Sequence, residues 1–148
     1  MFRGATPLNL DAKGRLAVPS KYRDALSSQC AGRLVLTAHP HRCLLLYPQP
    51  AWEPIQARIM GLSSFDPQSS KMQRLLVGYA EDVEMDGSGR LLVSSVLREF
   101  AGLEKQTMLA GQGSHFELWN VEAWDKQVQQ ALADDDMTLP SEWEGFSL

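Results

Sequence analysis

The chain is organised by a short motif that occurs twice. The segment Asn-Leu-Asp-Ala-Lys-Gly-Arg-Leu-Ala-Val at residues 9–18 returns at residues 84–93 as Glu-Met-Asp-Gly-Ser-Gly-Arg-Leu-Leu-Val. A shift of 75 positions superposes five identical residues, which are Asp11 on Asp86, Gly14 on Gly89, Arg15 on Arg90, Leu16 on Leu91 and Val18 on Val93. Because both halves of this 148-residue chain carry the motif, we expect two similar small modules.

The repeated residues are those that a tight turn requires. Asp at the first position of a type I turn accepts backbone N–H groups, and Gly at the fourth position tolerates positive φ. With apolar strands on both sides, Asp-x-x-Gly predicts a tight hairpin. Alternation in the return strand places Leu16 and Val18 inside and Arg15 on the solvent face. The motif therefore predicts turn-organising or secondary roles for Asp11, Gly14, Asp86, Gly89 and Arg90.

Turn residues and apolar runs predict the rest of the first half. Pro19 is suited to the first turn of a helix that Ser20 helps to cap. Apolar residues then predict strands at residues 33–37 and 43–47, and a helix from about Pro50.

The segment between the modules is predicted to be a packed helix. Asp66 is a suitable cap and Pro67 a suitable first residue. Apolar residues follow at helical spacing, at Met72, Leu75, Leu76 and Tyr79. This pattern indicates an amphipathic helix and not a flexible tether.

The second half repeats the element order of the first and ends in a helix that Asn120 can cap. Three consecutive aspartates at residues 134–136 begin an acidic tail, which we expect to be poorly ordered. The chain is therefore divided into a first module at residues 5–51, a helical linker at 52–79, a second module at 80–124, and a helix end with acidic tail at 125–148.

The sequence offers no positive sign of catalysis. His39, His41 and Cys43 are metal-binding residue types, but Pro40 breaks their local geometry and no second ligand pair stands out. Residues 111–113, Gly-Gln-Gly, lack the length and helix context of a phosphate-binding loop. We therefore expect no enzyme activity, no metal, no cofactor and no small-molecule substrate.

The distribution of apolar residues predicts where in the cell the protein is found. It contains no run of 18 or more apolar residues, and its N-terminus lacks the apolar core of a signal peptide. We expect a cytoplasmic protein without a membrane partner. In a reducing compartment, Cys30 and Cys43 are interpreted as small buried or half-buried thiols.

Charge is segregated between the two halves. Residues 1–75 contain ten Lys and Arg against four Asp and Glu, whereas residues 76–148 contain four against fourteen. The halves thus carry net charges of +6 and −10 within an overall charge of −4. A basic module indicates a polyanionic partner.

The candidate contacts to that partner lie within the first 23 residues. Lys and Arg side chains neutralise phosphates, and Arg can also read guanine edges in the major groove of double-stranded DNA. The candidate DNA-binding residues are Arg3, Lys13, Arg15, Lys21 and Arg23.

Several motifs together resemble the MraZ family. They are Asn-Leu-Asp-x-Lys-Gly-Arg-Leu-Ala-Val-Pro at residues 9–19, Leu-Leu-Leu-Tyr-Pro at 44–48, Gln-Arg-Leu-Leu at 73–76, Met-Asp-Gly-x-Gly-Arg at 85–90, and Gly-Gln-Gly followed by Phe-Glu-Leu-Trp at 111–119. The resemblance runs in order from Met1 to about residue 126. It implies two tandem SpoVT-AbrB-type modules, each marked by Asp-x-x-x-Arg.

The resemblance implies a mainly β fold with flanking helices: a duplicated, swapped-hairpin, double-split β-barrel with a pseudo-two-fold axis within one chain. It implies a nucleoid-associated transcriptional regulator that assembles into a homo-oligomeric ring. Such a regulator binds direct repeats in its own promoter region, at the start of the division and cell-wall gene cluster. Ser88 stands opposite Lys13 and Ser94 opposite Pro19, so we expect the first module to make the main DNA contact.

One alternative belongs to a different functional class. A ring-forming protein-interaction module of antitoxin-like type would also use a duplicated small β fold and self-association. Specific binding to promoter DNA distinguishes the regulator from this alternative.

Overall fold

The computed structural model describes residues 1–134, 141–143 and 145. Its strands in chain order are β1 (Phe2–Asn9), β2 (Arg15–Ala17), β3 (Arg33–Ala38), β4 (Leu44–Pro48), β5 (Glu81–Glu84), β6 (Arg90–Leu92), β7 (Gln106–Gly113) and β8 (Phe116–Asn120). Its helices are α1 (Ser20–Cys30), α2 (Gln49–Met60), α3 (Pro67–Met72), α4 (Ser95–Phe100) and α5 (Val121–Ala133), with a π-helical turn at Gln73–Val77 and a 3₁₀ turn at Ser141–Trp143. Much of the predicted acidic tail, at 135–140, 144 and 146–148, lies outside the described residues.

The two halves of the chain exchange strands. Six antiparallel strands form one sheet in the order β1-β7-β8-β4-β3-β5. In it, β1 pairs with β7 of the second half from Phe2↔Gly113 to Asn9↔Gln106, and β5 pairs with β3 of the first half. The mainly β fold with helices is therefore confirmed. The pairing of the described strands leaves β1 and β5 at the two edges, so it does not close a barrel.

The remaining two strands, β2 and β6, pair with each other as a two-stranded antiparallel sheet, which we call the ribbon. The predicted hairpin is thus confirmed as a turn but wrong as a strand pair. In the first turn (residues 11–14), Gly14 N donates to Asp11 O at 3.0 Å and Asp11 N to Arg15 O at 3.0 Å. Beyond these bonds β1 joins the large sheet and β2 joins the ribbon. The second turn (residues 86–89) separates β5 from β6 in the same way.

One hydrophobic core serves both halves. On the inner face of the ribbon, Leu16 and Leu91 are each 1% exposed, and the adjoining Val18 and Val93 are buried with them. They pack in one cluster with apolar side chains of the large sheet, among them Leu34, Leu36, Leu44, Leu46, Leu109, Phe116 and Leu118. Burying a leucine contributes roughly 1.5–3 kcal/mol. Because both halves supply this cluster, the main core belongs to neither half alone.

The linker packs on the other face of the sheet. Trp52 and Ile59 of α2 pack with Val35 of β3, and Thr37 Oγ1 donates to Leu76 O at 2.7 Å. The predicted helix is present as α3 followed by the π-helical turn, but neither segment has a buried residue, and Met72 and Tyr79 are 46% and 36% exposed. The π-helical turn separates Met72 from Tyr79, so the 3.6-residue spacing on which the prediction rested does not continue across it.

Two further predictions can be compared with the fold. Helix α1 runs to Cys30, beyond the short helix expected after Pro19, and Pro19 occupies its cap position without a side-chain bond from Ser20 or any other residue. Cys30 and Cys43 are free, buried thiols, as predicted. Of the helices that the structure describes, none has the length and apolar character needed to cross a membrane.

Candidate nucleic-acid interface

The ribbon presents the arginines of both motifs on one surface. Its register pairs Arg15 with Leu92, Leu16 with Leu91 and Ala17 with Arg90. Residues opposite one another in a ladder share a face. Since Leu16 and Leu91 point into the core, the two arginines lie with Ala17 and Leu92 on the outer face. Arg15 and Arg90 are diagonal neighbours, with about 7–8 Å between them at the backbone, and their side chains are 29% and 37% exposed.

The first turn holds Arg15 through Asp11. Asp11 Oδ1 accepts the backbone N–H groups of Lys13 at 2.9 Å and Arg15 at 2.8 Å, and Oδ2 accepts Arg15 Nε at 2.7 Å. The Arg15 backbone N–H, followed by the guanidinium, lowers the pKa of Asp11 from its ordinary value. The carboxylate therefore stays charged at neutral pH. Its bond engages Nε and leaves the two terminal nitrogens, which together can make an end-on bidentate contact to guanine.

The second turn repeats this backbone but holds its arginine less closely. Asp86 Oδ1 accepts the N–H groups of Ser88 and Arg90, each at 2.9 Å, and the Arg90 N–H lowers the pKa of Asp86. Arg90 Nε lies 3.3 Å from Asp86 Oδ2, an ion pair. Within the described part of the chain, however, this Nε is a buried nitrogen without a hydrogen-bond partner.

The structure places the five predicted DNA-binding residues at three locations. Lys13 is exposed in the first turn beside Arg15. Arg23 lies against the second turn, where its Nε is 2.4 Å from the position that a Cβ on Gly89 would take. Arg3 and Lys21 lie near the start of β1, and Lys21 Nζ lies 4.9 Å from the Tyr22 ring centroid.

Arg3 and Lys21 are tied to this location by Tyr22, whose hydroxyl donates to the Arg3 carbonyl. Six residue steps separate Arg3 from Asn9 along β1, a distance of about 20 Å in a strand. The first turn follows Asn9, so Arg3 lies at the opposite end of β1 from Arg15.

Two cations near the first turn come from the second half and were missed by the sequence analysis. Arg98 Nε donates to Val93 O at 3.0 Å, and its guanidinium lies against Gly14. Lys105 lines a surface cavity beside the first turn together with the acidic Glu104, and its carbonyl accepts Leu10 N at 2.8 Å. The shift of 75 that superposes the motifs also superposes Arg23 on Arg98. That equivalence is the sequence signal that identifies Arg98.

The histidines and Cys43 form no comparable site. Burial raises the pKa of the Cys43 thiol to about 12, which keeps it from the thiolate form that binds metals. The rings of His39 and His41 are 4.7 Å apart. Among the residues that the structure describes, no group of three or more His, Cys, Asp or Glu side chains could hold a metal ion.

The ribbon has the shape and chemistry of a nucleic-acid contact. The major groove of B-DNA, about 12 Å wide, admits a two-stranded β-ribbon, and arginine is its commonest specific reader. Lys13 beside Arg15 adds a cation suited to phosphate. The outer face of the ribbon, bounded by the two turns, is therefore the candidate interface.

Comparison with known proteins agrees with the motifs. Residues 1–75 and 76–142 each match the family model described as "MraZ protein, putative antitoxin-like". A protein from Methylobacillus flagellatus named Transcriptional regulator MraZ is 74% identical over 148 residues, which cover 100% of both chains. Proteins of the same name from Nitrosospira multiformis and Nitrosomonas eutropha are 60% and 59% identical, again over 100% of both chains. The chain belongs to the MraZ family.

Proposed function

We propose that this protein is a sequence-specific DNA-binding transcriptional regulator, a repressor, and not an enzyme. Its targets are direct repeats upstream of the division and cell-wall gene cluster, including its own gene, and it acts in the cytoplasm on the nucleoid. The observation that supports this most strongly is the pair of arginines, Arg15 and Arg90, on the outer face of one ribbon. The name Transcriptional regulator carried by its relatives supports the same function.

In the proposed mechanism, the outer face of the ribbon enters the major groove. Arg15 reads base edges while Asp11 holds its Nε, and Lys13 binds a neighbouring phosphate. Arg90 adds a second, weaker contact. Arg3, Lys21 and Arg23 contribute to the basic surface over a wider area. The division into modules at residues 5–51 and 80–124, and a double-split barrel with swapped hairpins, are part of this proposal.

Self-association into a homo-oligomeric ring is the second part of the proposal. Large apolar side chains are exposed along and beside the linker, at Met60, Leu62, Phe65, Met72 and Tyr79. Contiguous apolar patches on a surface mark protein–protein contacts, and these side chains are proposed to form such a patch. A ring presents several ribbons to repeated DNA sites, and the resulting effective concentration raises affinity well above that of one ribbon.

A protein-interaction module of antitoxin-like type is the competing function. The antitoxin-like description of the family model and the same exposed apolar side chains favour it. It requires self-association or a protein partner, but not promoter binding.

The test is titration of the purified protein with the DNA upstream of its own gene and with a scrambled duplex of equal length, over a series of salt concentrations. We expect preference for the upstream DNA, and log affinity that falls linearly with log salt, with a slope of about −0.9 for each neutralised phosphate. Light scattering after size exclusion should give a closed oligomer larger than a dimer. Equal affinity for both duplexes would favour the interaction module, and a monodisperse monomer would remove the ring.

A further inference from the structure

Each turn glycine lies beneath an arginine from the opposite half of the chain. A Cβ added at Gly14 would lie 2.8 Å from both Cζ and Nε of Arg98, and one at Gly89 would lie 2.4 Å from Arg23 Nε. Both glycines are buried, although they sit in turns at the surface. The two guanidinium groups are therefore in close contact with the turn backbone.

Both arginines are also anchored in the same manner. Arg98 Nε donates to Val93 O at 3.0 Å, and Arg23 Nε donates to Val18 O at 2.7 Å. The backbone N–H of each of these valines also donates a hydrogen bond to the turn of the other half. Val93 N donates to Gly14 O at 3.0 Å, and Val18 N donates to Gly89 O at 2.8 Å.

This arrangement follows from the strand exchange. Helix α4 follows β6, and β6 runs antiparallel to β2, so α4 begins at the end of the ribbon where the first turn lies. Helix α1 begins at the other end, beside the second turn. An arginine one turn into either helix therefore reaches the turn of the other half.

We propose that Arg98 and Arg23 are positioning residues that act crosswise: Arg98 holds the first turn and thereby orients Arg15, and Arg23 holds the second turn and thereby orients Arg90. The inference deepens the proposed DNA contact by Arg15 and rests on it. It also changes the role of Arg23, which serves the motif of the second half.

Arg98 contacts the residue that directly precedes Arg15 in the chain. Arg98 contacts Gly14, whose carbonyl is held by Val93 N, and Gly14 is bonded directly to Arg15. Removing the guanidinium opens the space over Gly14 and leaves the Val93 carbonyl without the hydrogen bond that Arg98 Nε donates. The turn then samples more orientations, and the hydrogen bonds by which arginine reads a base edge weaken when donor and acceptor leave their preferred distance and angle.

The first measurement needs no DNA. In Arg98→Ala, amide hydrogen exchange at Val93 and Gly14 should rise about 10-fold, the effect of weakening a hydrogen bond by about 1.4 kcal/mol, while Val18 and Gly89 keep their rates. Arg23→Ala is the matched control and should show the reverse pattern. Exchange that rises at the turn of the arginine's own half, or at both turns equally, would overturn the crosswise assignment.

The second measurement is a set of double-mutant cycles on upstream DNA at one salt concentration. Arg98→Ala should lower affinity by a factor of about 2 to 100 in the parent protein, and by less than about 2 when Arg15 is already alanine. Its effect should persist in full in the Arg90→Ala background. Arg23→Ala should show the opposite dependence, coupled to Arg90 and independent of Arg15.

A lysine variant separates position from charge. Arg98→Lys keeps the charge but lacks the planar group that covers Gly14 while donating to Val93 O. We expect it to bind DNA as poorly as Arg98→Ala, with the parent salt slope. Binding restored by lysine, or a slope shallower by about 0.9 in Arg98→Ala, would identify a phosphate contact and refute the positioning role. If Arg98→Ala loses the native oligomer, both the exchange measurement and the double-mutant cycles are made with Arg98→Lys, which removes fewer side-chain atoms.

The failure of this inference is distinguishable from failure of the proposed function. If Arg15→Ala binds upstream DNA like the parent protein, the proposed contact fails while the exchange experiment still decides the crosswise contact. If Arg15→Ala loses binding but Arg98→Ala is additive with it, only the positioning role fails.

Discussion

The two turns have nearly the same backbone and different surroundings. The bond from the turn Gly N to the turn Asp O is 3.0 Å in the first turn and 2.9 Å in the second, and the bond from the Asp N to the Arg O is 3.0 and 2.9 Å. By contrast, Lys13 is replaced by Ser88. The fold therefore requires the Asp and the Gly, whereas the neighbouring charges are free to serve a partner.

The arginines differ in how they are held. Arg15 Nε lies 2.7 Å from Asp11 Oδ2 as a hydrogen bond, but the corresponding distance for Arg90 and Asp86 is 3.3 Å. Around the first turn the structure collects Lys13, Arg15 and Arg98, which belong to both halves of the sequence. The charge that surrounds a turn therefore depends on both halves, because the strand exchange brings Arg98 to the first turn and Arg23 to the second.

The largest expected effect is on DNA binding by the two motif arginines. Arg15→Ala should lower affinity for upstream DNA at least about 100-fold, because a good arginine–base contact is worth about 1–3 kcal/mol and each subunit of an oligomer loses one. Arg90→Ala should cost about 10-fold or less, since it lacks a neighbour like Lys13. Both are measured by titration at fixed salt, after oligomer size and melting temperature have been compared with the parent.

Equal losses in two well-folded variants would mean that the ribbon reads DNA symmetrically, with no division between the turns. If both variants instead lose thermal stability and keep their DNA affinity, the arginines serve only to hold their turns.

The next largest effect is a loss of folding stability, which should be the same at both turns. Gly14 and Gly89 have φ of 83° and 76°, and a Cβ at either position meets a guanidinium. Gly14→Ala and Gly89→Ala should each lower the free energy of unfolding by about 1–3 kcal/mol, as measured by denaturant titration. Gly87→Ala is the matched control, because nothing lies within 4 Å of a Cβ at that position. Losses that differ by more than about 1 kcal/mol would show that the two turns are not mechanically equivalent.

The turns were predictable from sequence because local chemistry dictates them. Asp-x-x-Gly specifies its own hydrogen bonds within five residues, and the alternation after it correctly predicts the burial of Leu16 and Val18. The partner of each strand was not predictable in this way. A turn that looks like a hairpin carries no local record of whether its strands pair with each other or with distant strands, such as Phe2 with Gly113 and Arg15 with Leu92.

The candidate site shows the same limit. Arg15 and its turn follow from the motif, but the neighbours of Arg15 depend on which helix starts beside it. Arg23 is close to Arg15 in sequence but contacts the second turn, whereas Arg98, 83 positions beyond Arg15, contacts the first turn. Long-range pairing decides such contacts, and the repeat shift is the one sequence signal that points to them.

A smaller effect should follow from exchanging the residues that distinguish the turns. Lys13→Ser should make the slope of log affinity against log salt shallower by about 0.9, because one phosphate contact is lost. Ser88→Lys should make it steeper by a similar amount if the second turn approaches the same DNA. Both positions are exposed, so the free energy of unfolding should change by less than about 0.5 kcal/mol. An unchanged slope in Lys13→Ser would place the phosphate backbone away from the first turn.

The smallest effect concerns acid stability and compares the two carboxylates directly. The folded pKa of Asp11 and of Asp86 lies below the ordinary value of 3.8, in each case chiefly because a backbone N–H of the following arginine donates to the carboxylate. The unfolded chain therefore binds more protons than the folded chain in this pH range, so stability rises with pH there. The contribution of each carboxylate is present above about pH 4 and is lost as pH falls through its folded pKa.

Asp11→Asn and Asp86→Asn keep an oxygen that can accept the turn N–H groups but remove the titration. Each variant should show a shallower loss of melting temperature between about pH 4 and pH 2. The change should be larger for Asp11→Asn, because Arg15 Nε donates to Asp11 at 2.7 Å whereas Arg90 Nε lies 3.3 Å from Asp86 without a hydrogen bond. Both carboxylates are in solvent, so added salt should reduce the difference between the variants. A larger change from the parent in Asp86→Asn than in Asp11→Asn would contradict this order. It would show that the Arg15 side-chain bond adds nothing to the backbone bonds that the two turns share.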